Sequence, residues 1–496
     1  MHNQRLLREA EARSLRQLTR RHFLQDSAMG IGALALGALL PGCFRAEDST
    51  AIAFDPANPL APKLPMFPAR AKSVIYLHMA GAPSQLELFD YKPDLQKLNG
   101  QDCPDSLLKG KRFAFIRGIP KMLGPQANFA QRGESGAWVS DYLPHFSTVA
   151  DEVSFLKAMT TDQFNHAPAQ LLMHTGSARL GRPSMGAWVT YGLGTENQNL
   201  PGFVVLTSGG HFPDAGKSVW GSGFLPSVYQ GVQCRSEGDP VLFIKDPQGM
   251  NRDLRKASID AINAVNQQEY TDYGDPETLS RISQYELAYR MQISVPDVMD
   301  ITNEPAYIHE MYGTKPGKAC VANNALLARK LVEKGVRFVQ LFDWGWDSHG
   351  TDPDTAIDMG LIKKCKQTDR ATTALLLDLK QRGLLDQTLV VWGGEFGRTP
   401  MMENRDGKQN PFKGRDHHVE AFTIWMAGGG IKKGVSFGET DEIGYAAISG
   451  KTSAFDMQAT ILQQLGFDHT KFTFPFQGRP FRLTDVSGTV ISDIIA

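Results

Sequence analysis

Short apolar, β-branched runs alternate along this chain with stretches of helical spacing. Residues 73–78 (SVIYLH), 153–157 (VSFLK) and 202–207 (GFVVLT) are continuous apolar runs that predict buried strands. A helix is expected over 168–174, starting just after His166, because Pro168 has no N–H to leave unpaired in a first turn. Residues 252–312 are polar with helical spacing and predict a helical insertion. The alternation is clearest towards the C-terminus. It predicts helix 323–334, strand 335–342, helix 371–383, strands 388–393 and 420–427, and a closing helix 454–465. Strands without polar alternation are buried on both faces, so the fold class expected is α/β, a mostly parallel sheet with helices on both faces. No internal repeat is visible.

In such sheets ligands bind beyond the carboxyl ends of the strands. His78 closes the first run, and Asn165-His166 follows the second. The strand at 335–342 leads into DWGWDSHG, with Asp343, Asp347 and His349. The strand at 388–393 leads into GGEFGRTP, with Glu395 and Arg398, and GRDHH (Asp416, His417, His418) lies just ahead of 420–427. Polar side chains able to bind metal thus converge on one end of the sheet.

Composition adds boundaries. The chain has 496 residues, 42% hydrophobic and 21% charged, with a formal net charge of -1. No basic stripe stands out past the N-terminus, which argues against nucleic acid as a partner. Thr19-Arg20-Arg21-His22-Phe23-Leu24 followed by MGIGALALGALLPG has the form of a twin-arginine export signal, and the apolar run is too short and glycine-rich to span a membrane. Residues 1–45 are assigned to that signal, which implies passage through the twin-arginine translocase and an exported, periplasmic or cell-surface location. Leu40-Pro41-Gly42-Cys43 resembles a lipobox, making Cys43 a candidate lipid-anchored residue. Residues 46–72 are proline-rich and predict an extended linker, leaving 73–496 as the folded body. Cys103, Cys234, Cys320 and Cys365 show no C-x-x-C or zinc-finger spacing and are expected to form at most one or two bridges.

The stretch FNHAPAQLLMHTGSARLGRPSMG (164–186) carries a resemblance. Sulfatases place their nucleophile in Cys-x-Pro-x-Arg ahead of a Thr-Gly turn. Here His166 holds the nucleophile's place and Gln170 the arginine's. The order of motifs resembles the alkaline phosphatase superfamily. More closely it resembles domain-of-unknown-function family 1501, common in exported planctomycete proteins, through GAPSQLELFD (81–90), HAPAQLLMHTGS, WDSHG, GGEFGRTP, GRDHH and FDMQATILQQLGFDH (455–469). The superfamily resemblance implies an alkaline phosphatase-like fold and divalent metal (Zn, Mn or Ca) at the strand ends. On that pattern Asp347, His349, Glu395 and His417 or His418 hold metal, and His78, Asp343 and Asp416 are additional candidates. The aspartate pair that ends a sulfatase's first strand is missing; Glu87 and Asp90 come later. No Cys-x-Pro-x-Arg occurs, which excludes formylglycine chemistry.

Each candidate also has a structural reading. His166 is a nucleophile, a ligand or anion contact, or a helix cap. Asp347 and His349 are ligands, or a cap and a loop histidine. Glu395 is a ligand or the buried partner of Arg398, and Arg398 could instead grip an anion as a bidentate fork. Of the adjacent His417 and His418, one is expected to point inward. Trp344, Trp346 and Phe396 stack on a sugar or pack the top of the sheet. The leading expectation is a metal-dependent hydrolase of phosphate or sulfate esters on a polysaccharide or envelope component, with His166 and Arg398 receiving the anion. The rival is a catalytically degenerate surface protein that binds glycans or partner proteins through the same cleft.

Overall fold

The computed structural model describes residues 58–241, 245–405 and 407–496. The twin-arginine motif, Cys43 and the linker up to residue 57 lie outside the described residues. Among the described residues, nine strands form one sheet: β1 (Ser73–Ala80), β2 (Val153–Thr160), β3 (Phe203–Ser208), β4 (Val232–Cys234), β5 (Phe338–Trp344), β6 (Thr388–Gly393), β7 (Phe422–Ala427), β8 (Ser436–Phe437) and β9 (Thr452–Ser453). The order is β8-β2-β7-β6-β1-β5-β3-β4, with β9 also on β2. All pairings are parallel except those of β7, which runs antiparallel to β2 and β6.

The principal helices are α1 (His166–Thr175), α2 (Met185–Leu193), α3 (Arg252–Tyr273), α4 (Pro276–Met299), α5 (Val321–Glu333), α6 (Gly360–Gln381) and α7 (Ala454–Gln464). Every residue of β1 is buried, because helices cover both faces. On one face Tyr76 reaches Met457 of α7 and Gln340 reaches His174 of α1. On the other, Lys364 of α6 pairs with Asp343, and Asn324 of α5 donates to the Thr207 carbonyl. The α/β expectation therefore holds.

Local chemistry explains the boundaries. Gly176 ends α1 in the left-handed region at φ 66°, and a Cβ there would come within 1.9 Å of the Leu483 carbonyl. A capping box between Ser453 and Asp456 starts α7. The insertion is a helical hairpin, with Asn251 capping α3 and Asp275 capping α4, followed by the short helix Ala306–Tyr312. Helix α6 begins eleven residues ahead of the predicted 371, because its polar first half is buried through pairing. Asp369 there accepts the backbone N–H groups of His145 and Phe146 at 2.7 Å.

The described residues of the 46–72 segment have no regular secondary structure and lie on the body. Met66 and Ala71 donate to the carbonyls of Gly466 and Gln464, and Leu60 is buried. Cys103, Cys234, Cys320 and Cys365 are free thiols. Among the described residues no helix is long and apolar enough to cross a membrane.

Candidate metal centre

Four loops meet at the carboxyl end of the sheet. Strand β1 turns at Gly81, whose φ is 106°; a Cβ there would stand 2.6 Å from the Asp347 backbone nitrogen. Glycine at 81 thus lets the WDSHG loop, which follows β5, close over the end of β1. Strand β6 leads into Gly397–Arg398, which pairs antiparallel with His417–His418. Because β7 runs antiparallel, the segment that precedes it arrives at the same end as the segments that follow β5 and β6. Helix α1 brings His166 as its first residue.

These loops place ligand atoms of His166, Asp347, His349 and His417 within 4.8 Å of one another. Asp347 Oδ1 is the hub, with the Nε2 atoms of His349, His166 and His417 at 2.9, 3.3 and 3.4 Å. The His349 and His417 Nε2 atoms lie 3.1 Å apart. In a tetrahedral zinc site with bonds of 2.0–2.1 Å, neighbouring ligand atoms are about 3.3 Å apart. Four of the six ligand-atom pairs, at 2.9–3.4 Å, therefore come close to the spacing of a four-ligand cation site.

Each imidazole is held from behind. His166 Nδ1 is 2.7 Å from Glu395 Oε1, His349 Nδ1 bonds Glu403 Oε2, and His417 Nδ1 is 2.6 Å from the Phe164 carbonyl. A carbonyl only accepts, so His417 carries its proton on Nδ1 and turns a lone pair on Nε2 towards the cluster. Fixing Nδ1 so that Nε2 faces inward is how metal-binding histidines are oriented. His166 Nε2 is buried without a hydrogen-bond partner, which is the polar atom that a cation would satisfy.

Charge is shared unevenly across the cluster. Burial alone would raise the Asp347 carboxyl, but the Arg398 charge and the close contacts of the three histidines hold it well below the usual range. Burial would likewise raise Glu395, yet His166 and His78 keep it ionised, well below its ordinary value. Burial would lower His166, but Asp347 and Glu395 outweigh it and push it up to about 9. His349 is raised by Asp347 and Glu403 against burial. His417, by contrast, is pushed down to about 3 by burial, with Arg398 adding to the effect, so it stays neutral. Three imidazoles around one carboxylate form a donor set suited to Zn or Mn, whereas Ca prefers oxygen.

A family model described as "Protein of unknown function (DUF1501)" matches residues 71–495. The chain belongs to the DUF1501 family. No curated protein matches it. Among solved structures, the DUF1501 chain is similar to the PsFucS1 sulfatase from Pseudoalteromonas sp., at 12% identity over 83% of this chain and 74% of that one, with a TM-score of 0.36. It is also similar to the alkaline phosphatase of the Antarctic bacterium TAB5 (14% identity, 74% and 93% coverage, TM-score 0.30). A third is the lipoteichoic acid synthase LtaP of Listeria monocytogenes (11%, 86% and 78%, TM-score 0.28).

Within this DUF1501 site the predicted residues have distinct fates. Asp347, His349 and His417 come together as expected, and His166 joins them as a fourth member. Glu395 lies behind His166, taking Gln170 Nε2 and the Gly81 N–H at 3.1 Å on the same oxygen, so it braces a ligand and is not one of the four. Arg398 does not fit the expected anion fork: it is fully buried, and its guanidinium donates to the carbonyls of Ala82, Gly81 and Arg415 and to Asp347. It anchors the hub. His418 turns the other way and bonds the Tyr445 carbonyl.

His78 is buried beneath the site, 3.2 Å from Glu395 Oε2. Asp343 is held by Lys364, Ser208 and the Trp346 indole, and Asp416 by the N–H groups of Phe115, Ile116 and His417. Neither of these two joins the four-residue cluster, although Asp416, Glu403 and His349 form a second, overlapping group. Glu87 pairs with Arg415, both fully buried, and Asp90 bonds Thr440. Trp346 and Phe396 pack the top of the sheet, and Trp344 stays half-exposed. Sequence reasoning missed Glu403 and the Phe164 carbonyl, both of which act through a histidine and carry no spacing signal of their own.

Proposed function

We propose that this chain is a metal-dependent hydrolase of phosphate or sulfate esters, with the cation held by Asp347, His349, His417 and His166. The observation that carries the reading is the convergence of three imidazole Nε2 atoms on one carboxylate oxygen at the carboxyl end of the sheet. A bound divalent cation supplies Lewis acidity towards an ester oxygen and makes water a stronger acid. Glu395, Glu403 and the Phe164 carbonyl keep the three Nε2 atoms inward. Arg398 fixes the Asp347 carboxylate. Phe396, 4.4 Å from the His417 ring, and Phe115, 5.0 Å from the His349 ring, wall the cluster against solvent. His166 is engaged at Nδ1 by Glu395 and turns Nε2 towards Asp347 at 3.3 Å, the position of a ligand.

The substrate class proposed is an anionic ester on a polysaccharide or envelope component. The twin-arginine motif supports export by the translocase, and Cys43 supports a lipid anchor at the cell surface. Both are checked by fractionating cells that express wild type, an Arg20→Lys/Arg21→Lys variant and a Cys43→Ala variant.

The enzymatic reading is tested by loading the protein with Zn or Mn and assaying 4-nitrophenyl phosphate, 4-nitrophenyl sulfate and sulfated oligosaccharides. Turnover that disappears with metal in His349→Ala is expected. Fully loaded protein that turns over none of them would favour the binding-protein reading, which draws on the replacement of the hydroxyl nucleophile by His166.

A further inference from the structure

Beside the metal cluster lies a cavity of about 730 Å³ whose lining carries five Lys or Arg side chains against two carboxylates. That volume is within the range of small-ligand sites, roughly 300–1,000 Å³. Both carboxylates are already paired: Asp343 with Lys364 at 2.7 Å and Asp354 with Lys363 at 3.1 Å. The excess positive charge therefore falls on Lys315, Lys366 and Arg370, all exposed at the cavity. Arg370 is tied to the Glu310 carbonyl, which leaves the two lysine ammonium groups as the mobile cations. Over the whole chain the formal charge is -1, so this concentration of one sign is local.

Trp344 connects the cavity to the cluster. It lines the cavity, it is half-exposed, and its ring centroid is 6.0 Å from that of His166. Gly209 makes this position possible: its φ is 86°, and a Cβ there would be 2.3 Å from the Trp344 carbonyl. A half-exposed indole between a cation-rich cavity and a metal cluster offers a sugar face to stack on, flanked by charge on one side and metal on the other.

We propose that this cavity is a subsite for a second anionic group of the same glycan, so that the substrate is a chain bearing repeated sulfate, phosphate or carboxylate groups. The inference rests on the hydrolase reading for the role of the metal cluster, but its binding test does not need turnover. The probes are a size-fractionated dextran sulfate oligosaccharide, glucose 6-sulfate, uncharged dextran and linear polyphosphate. They are titrated calorimetrically into metal-loaded full-length protein at 0.1 M salt, in wild type and in a Lys315→Ala/Lys366→Ala variant.

Wild type should bind the dextran sulfate at least about tenfold more tightly than glucose 6-sulfate. The variant should lose about tenfold in dextran sulfate affinity and show a shallower salt dependence, with glucose 6-sulfate affinity and metal content unchanged. Equal affinity of the two proteins for dextran sulfate would overturn the subsite. So would a wild type that prefers it no more than the monosulfate. Polyphosphate binding as tight as dextran sulfate binding would overturn the glycan part, because charge alone would then account for recognition. Lysine-dependent binding without turnover of any ester would sink the hydrolase reading and leave the subsite standing.

Discussion

Glu403→Gln is nearly isosteric and yet should weaken cation binding sharply. Glu403 Oε1 accepts from Arg405 Nε at 2.6 Å and from Asn410 Nδ2 at 3.2 Å, while Oε2 takes His349 Nδ1. Glutamine must present an NH₂ group on one of these two sides. Turned towards Arg405 and Asn410, that group would oppose two donors, one of them charged. The amide oxygen therefore stays there and the NH₂ faces His349 Nδ1. His349 must then accept at Nδ1 and carry its proton on Nε2, the atom that points at Asp347 2.9 Å away. The variant thus removes one of the four ligands by tautomer, without cutting a side chain. Loss of such an outer partner costs about 10- to 100-fold in metal affinity, and the tautomer switch places the expectation near the upper limit, about 2.7 kcal/mol. Titration calorimetry with ZnCl₂ in a non-chelating buffer measures it, and a circular dichroism spectrum matching wild type confirms the fold. An affinity within threefold of wild type would refute the assignment of His349 Nε2 to the cation.

Other outcomes follow from the same geometry. His417→Ala should abolish stoichiometric metal binding while His418→Ala retains it, by elemental analysis of purified protein, because only His417 faces the cluster. Arg415→Ala strands the fully buried Glu87 carboxylate and should cost about 3–5 kcal/mol in urea denaturation. Added zinc should stabilise the wild type by about 2.7 kcal/mol at a hundredfold excess over Kd, reversed by a chelator and missing in Asp347→Asn.

The sheet was legible because its strands are continuous apolar runs; β1 and β6 are buried along their whole lengths. The strand-end pattern located the site for the same reason. His417 and His418 sit on one short strand, where successive side chains point to opposite faces. The expectation that one faces inward follows from that; which one depends on the pairing with Gly397–Arg398. The role of Arg398 was not legible. Its partners at Gly81 and Ala82 lie more than 300 residues away in the chain, so a glycine-flanked arginine looked open when it is sealed. The start of α6 was hidden because Lys364 and Asp369 are polar in sequence but buried through pairs made elsewhere. Glu403 sits in an ordinary polar loop, and only the fold brings it behind His349.

One cation held by three imidazoles and one carboxylate is the arrangement on which the proposed chemistry depends. X-ray absorption at the zinc K-edge of the reconstituted full-length protein tests it most directly. The expected spectrum shows one zinc per chain, a first shell of four N/O atoms at about 2.0–2.1 Å, and outer-shell scattering from three imidazole rings that drops to two in His349→Ala. A shell with no imidazole signature, or one that His349→Ala leaves unchanged, would contradict it.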